Sequence, residues 1–139
     1  MAAETVYRSD AEVLEVVRKF ETCALLPQEF DHRAHLTVAL YFIAHLPAET
    51  AHARMREGLR RLLAHYKETG YHETITLFWL KLVRQFLDNS VGDQSLADVA
   101  NELLEKFGDS QLLFEYYSRE LIQTAKARGE WIEPDLRNL

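Results

Sequence analysis

The stretch EFDHRAHLTVALYFIAHL, residues 29–46, decides the fold class. From Leu36 to Leu46 nearly every position is apolar. A helix that is apolar all round has to be wrapped by other elements, so this one is expected at the centre of an all-helical domain. Asp31 is a suitable N-cap and Pro47 a suitable stop. His32 and His35 fall in its opening turn, where titratable side chains at the mouth of a buried helix are costly unless something uses or satisfies them.

The flanking sequence supplies further helices. Ser9 and Glu12 read as a capping box for a first helix carrying Val13, Val16, Val17 and Phe20 at helical spacing, with Leu26-Pro27 ending that region. A third helix begins at 47–49, carries Met55, Leu59, Leu62, Leu63 and Tyr66 on one stripe, and is expected to close on Gly70 as its C′ glycine. A fourth spans 72–88 with Ile75, Trp79, Leu82, Val83 and Phe86 on one side, followed by a loop at 89–93. Ser95 and Asp98 open a fifth, which closes at Gly108. A sixth is expected over 110–128, with Leu113, Tyr117, Leu121 and Ala125 on one face. No strand-like alternation or internal repeat competes. The expectation is one all-α domain over 1–139, a bundle of six mostly antiparallel helices with its ordered core at 9–128. A tail at 129–139 holds Trp131, Ile132 and Pro134 and is expected to dock on the domain, a subunit contact being the sharper alternative.

Bulk properties narrow the function classes. A chain of 139 residues is one domain by length. A net charge of −6 argues against a nucleic-acid binder whose affinity rests on phosphate neutralisation. Cys23 is alone, which excludes an intramolecular disulfide and a cysteine-based zinc site, and it reads as a small buried apolar group. The opening MAAETVYRSD has no basic region followed by an apolar run, and the apolar run at 34–43 is about half of what a membrane crossing needs. A cytoplasmic location away from membranes is the default expectation.

Short connections favour antiparallel neighbours, which brings the openings of the second, fourth and sixth helices to one end. His32, His35, His65, Tyr66, Tyr71, His72 and Glu73 then fall in one layer, with Tyr116 and Tyr117 two turns further on. Two chemistries suit this set. His32, His35 and His72, joined by Glu73, offer imidazole and carboxylate ligands to a divalent metal. Neither an HExxH nor an ExxH pattern is present, and adjacent His72 and Glu73 diverge on a helix. Alternatively, clustered helix N-termini form an anion pocket. Arg33, His32, His35, His72 and the hydroxyls of Thr74 and Thr76 would then be donors, and Phe42, Trp79 and the tyrosines Tyr71, Tyr116 and Tyr117 the wall for a small carboxylated molecule. The structural alternative has His32 and His72 satisfying helix ends and His35 bonded to Asp31, Glu29 or Glu73. His45, His52 and His65 are expected to be solvent-exposed.

FDHRAHLTVAL at 30–40, YHETITLFW at 71–79, LLFEYYSRELI at 112–122 and WIEPDL at 131–136 together resemble a small bacterial family of helical proteins. Its members share a Phe-x-His-x-x-His-Leu opening, a Tyr-His-x-Thr-x-Thr element and a terminal Glu-Pro-Asp-Leu. The resemblance spans 30–136 and implies a helical fold with His32, His35, His72, Thr74 and Thr76 as its marked positions. It implies no reaction. The sequence reading is thus a metal- or small-ligand-binding pocket where the second and fourth helices begin. The competing class is a non-enzymatic homodimeric interaction module with structural histidines.

Overall fold

Asp31 accepts the amide of Ala34, which satisfies one orphan donor and starts α2 (His32–His45). The computed structural model describes residues 5–90 and 92–139. Val91, within the expected loop at 89–93, and residues 1–4 of the opening segment lie outside the described residues. Around α2 pack α1 (Asp10–Glu21), α3 (Ala48–His65), α4 (Glu73–Asp88) and α5 (Leu96–Phe107), each in direct contact with it. Leu36, Val38, Ala39 and Leu40 are wholly buried, so the all-round apolar stretch is the hub of the bundle. Described residues form helices and turns with no strand, and no helix among them is long and apolar enough to cross a membrane.

Several ends differ from the sequence expectation. Ser9 occupies the N-cap of α1 but its side chain caps nothing; Glu12 instead accepts the amide of Arg8 at 2.6 Å. In α3 the chain turns left-handed at Lys67 (φ 56°), so the helix ends at His65 and Gly70 lies beyond it, with φ 112° in the following connection.

The largest departure is the expected helix at 110–128. It is a run of short pieces: a 3-10 turn at Ser110–Leu112, then α6 (Leu113–Tyr116), α7 (Arg119–Ile122) and α8 (Ala125–Gly129). Tyr117 is extended (φ −123°, ψ 133°). Ser118 and Thr124 each accept the amide three residues on, restarting the helix at those points. Such local side-chain bonds compete with a continuous helix.

The broken segment arches over α4 and the tail locks beneath it. Tyr117 Oη donates to Ile132 O at 2.6 Å, Leu136 N to Tyr116 O at 2.9 Å, and Ser118 N to Asp135 Oδ1 at 2.8 Å. Thr74 Oγ1, wholly buried, sits within 2.6 Å of Ala127 O and 2.7 Å of Glu130 O, and accepts Ile132 N at 3.3 Å. These tail contacts are within the chain.

A second clasp joins the first and fifth helices. Asn101 Oδ1 accepts the amides of Val6 and Tyr7, and its Nδ2 donates to Tyr7 O. Asp10 Oδ1 accepts Ala97 N at 2.8 Å, in the first turn of α5.

Candidate functional site

Where α2 and α4 begin, an apolar cavity of about 260 Å³ opens, walled by Phe30, Leu59, Leu62, Leu63 and Ile75 together with Gly70 and four polar residues, His35, Tyr71, His72 and Thr76. A smaller cavity of about 140 Å³ shares Phe30, Leu62 and Leu63 with it and extends toward Tyr66. Phe30 comes from the α1–α2 connection, held by its ring stack on buried Phe20 (centroids 5.1 Å apart). The leucines belong to the last turns of α3. Alternation of the helices therefore brings these groups to one end.

Three of the four polar residues are already satisfied. His72 is the N-cap of α4, its Nδ1 accepting Ile75 N at 3.1 Å. The ring's other nitrogen lies 2.8 Å from Ile122 O, a group that can only accept. His72 is therefore the neutral Nε2–H tautomer, and burial accordingly lowers its pKa. Thr76 Oγ1 donates to His72 O at 2.8 Å, and Tyr71 Oη to Glu73 Oε1. Burial first, then Glu73, pushes the Tyr71 phenol up to about 12.

His35 is the exception. No hydrogen bond among the described residues reaches its ring, and Nε2 is sealed from solvent. The carboxylate partner expected from Asp31, Glu29 or Glu73 is not there. Asp31 caps Ala34, Glu29 accepts Leu26 N, and Glu73 is committed to Arg56. Desolvation, with a smaller contribution from the His32 charge, pushes His35 down to about 4, so at neutral pH the imidazole is uncharged.

The remaining candidates are placed elsewhere. Glu73 forms a two-pronged ion pair with Arg56 (3.0 and 2.6 Å), which holds its carboxyl below the usual range. His32 Nε2 lies 2.9 Å from Phe107 O at the end of α5, and its ring lies edge-on to buried Trp79 at 4.4 Å. Arg33 is exposed and its charge acts on Tyr7, on the α5 side. Thr74 serves the tail clasp, while Tyr116 and Tyr117 pack on Phe78. None of these lines the cavity.

The metal set read from the sequence is not brought together. Among the described residues no group of three or more His, Cys, Asp and Glu side chains is placed to hold one ion. The physical reason is that a ligating imidazole needs a free lone pair. The one on His72 is engaged by Ile75 N, His32 is turned to Phe107 O, and Glu73 is neutralised by Arg56. The outward histidines also divide. His45 and His65 are exposed as expected, whereas His52 is half-buried in a different cavity. Cys23 is buried, as expected of a small apolar group.

Comparison with protein-family models, curated proteins and solved structures found no match, so the site is read from its own geometry.

Removal of the His72 ring tests its structural role. His72→Ala is expected to cost about 2 kcal/mol through loss of a cap and stranding of Ile122 O. His72→Asn, which can still cap, should recover about half of that in urea denaturation. Equal losses would mean that the cap contributes nothing.

Proposed function

We propose that the chain is a small-ligand-binding protein and that the cavity between α2, α3 and α4 is the binding site. The observation that carries this reading is the unpartnered His35 imidazole in an otherwise apolar wall. A buried polar group without a partner costs roughly 1–3 kcal/mol, which a sequence under no other demand would remove by placing leucine there. A ligand supplying one hydrogen-bonding group would offset the cost on binding, once a small shift of the ring uncovers Nε2 toward the cavity.

The chemistry of the wall selects the ligand class. His35 is neutral, and Tyr71, His72 and Thr76 already have partners for their protons, so nothing in the wall balances a full negative charge. A compact, largely apolar, uncharged molecule with a single polar handle fits best. This replaces the carboxylated ligand expected from the helix N-termini. At about 260 Å³ the cavity is below the roughly 300–1,000 Å³ typical of drug-sized ligand sites, so the occupant is smaller than drug-sized.

His35→Leu separates a binding role from a structural one. The variant is expected to be more stable than the parent by about 1 kcal/mol at pH 7, since an orphan polar group is replaced by an apolar one. The pH dependence follows from the lowered pKa. The unfolded chain binds a proton at His35 near pH 6.5 and the folded chain only near 4. Stability is therefore full above 6.5 and falls as pH drops toward 4, and the margin of His35→Leu over the parent should widen across that window. Phenol, benzyl alcohol and benzamide, titrated by NMR, should shift cavity residues such as Ile75 in the parent and bind at least tenfold more weakly to the variant. A destabilised His35→Leu with unaltered probe binding would sink the reading.

A further inference from the structure

A second cavity, of about 440 Å³, lies between the start of α3, the middle of α4 and the tail. Ala48 and His52 face it from α3, Lys81 and Arg84 from α4, and Trp131, Glu133 and Leu139 from the tail. Lys81 and Arg84 are three apart and so share one face of α4. Neither has an ion-pair partner among the described residues. Arg84 Nη2 is sealed from solvent without a hydrogen bond, in a chain whose net charge is −6. The nearby carboxylate does not answer it: Glu133 Oε1 accepts Trp131 Nε1 at 3.0 Å, and no ion pair joins Glu133 to Arg84. Lys81 Nζ instead rests 4.8 Å from the centroid of the Trp131 ring. The start of α3 leaves its first amides without a side-chain cap, since its N-cap is Pro47, while Glu49 in the same turn opposes their positive potential.

We propose that this cavity binds a small monocarboxylate with an apolar or aromatic body, the carboxylate between Arg84 and Lys81 and the body against Trp131 and Leu139. No group among the described residues accepts from the Arg84 guanidinium, and a carboxylate presents two acceptors in the geometry that guanidinium matches; sealed Nη2 joins the contact only after a small shift of the side chain. Charge favours one negative charge over two. Lys81 and Arg84 supply the positive charge of the cavity, Glu133 opposes it, and burial together with the charges of Lys81, Arg56 and Arg84 disfavours a proton on His52. A phosphate dianion would leave an uncompensated charge in a partly dry site. At about 440 Å³ the cavity has room for an aromatic ring beyond the carboxylate.

The chain contains two tryptophans, so ¹H–¹⁵N spectra of the full protein give two indole signals, and Trp131→Phe identifies the one from this cavity. Benzoate should shift the Trp131 signal saturably and leave that of buried Trp79 in place. Phenyl phosphate should bind more weakly, and benzamide and inorganic phosphate should not move the Trp131 signal. Arg84→Gln and Lys81→Gln should each weaken benzoate at least tenfold, while His35→Leu should leave it unchanged, which keeps this site distinct from the first cavity. The proposal is overturned by an unshifted Trp131 signal, by benzamide binding as well as benzoate, by inorganic phosphate binding without benzoate, or by benzoate affinity untouched in both α4 variants.

Discussion

Gly58→Leu is expected to lower the stability of the protein by at least about 3 kcal/mol, and Gly58→Ala by about 2 kcal/mol, although alanine is the better helix former by about 1 kcal/mol. Gly58 lies in the middle of α3 and is buried, and a Cβ there would overlap Cε2 and Cζ of Phe20. That ring cannot easily yield. It is 1 % exposed, stacked on Phe30 at 5.1 Å and 6.2 Å from Phe42. Relief toward the neighbouring cleft would set it among Glu21, Arg54, Glu57 and Arg61. Because Phe20 also supports Phe30 in the cavity wall, probe binding should weaken along with stability. Denaturant midpoints for the pair of variants decide the matter, and a Gly58→Ala protein more stable than the parent would show that α1 and α3 do not depend on this close approach.

Thr74→Val should cost about 3 kcal/mol despite being nearly isosteric. The hydroxyl proton is shared between Ala127 O and Glu130 O, and the oxygen accepts Ile132 N, so valine strands three backbone groups together. The loss should be local as well as global. Hydrogen exchange at Ile132 and Leu136 should accelerate more than in the core of α2, while Thr74→Ser should restore most of the protection. Uniform acceleration along the chain would mean that the tail and the bundle come apart as one unit.

The bundle was legible because its signals are local and agree. Asp31, Ser95 and Gly108 sit at the helix boundaries where the sequence places them, and the apolar circumference of α2 marks the hub. The C-terminal arch was not legible, since Leu113, Tyr117 and Leu121 keep a helical period straight through a break made by Ser118 and Thr124. Those residues are ordinary inside a sequence and decisive only once Asp135 and Thr74 bind the segment from elsewhere. The candidate cavity was legible by location, but the hydrogen bonding of its histidines was not. His35 and His72 do share a cavity, but which nitrogen each imidazole spends depends on Ile75 N, Ile122 O and an absent carboxylate. The Lys81–Arg84 pair carried a signal that could have been read, two cations one turn apart on the same helix.

The clasp of Asn101 and Asp10 has a bearing on how the molecule assembles. It joins groups 87 to 95 residues apart, whereas α2, α3 and α4 meet their neighbours across short connections. Closing so long a loop carries an entropy that grows as about (3/2)RT ln n, and it returns only a few hydrogen bonds at an edge of the bundle. The α1–α5 seam is therefore the most non-local of the clasps, and the apolar side chains it buries, Val13 and Val17 from α1 with Ala100 and Leu103 from α5, have to repay a loop entropy that the α2 to α4 contacts do not carry.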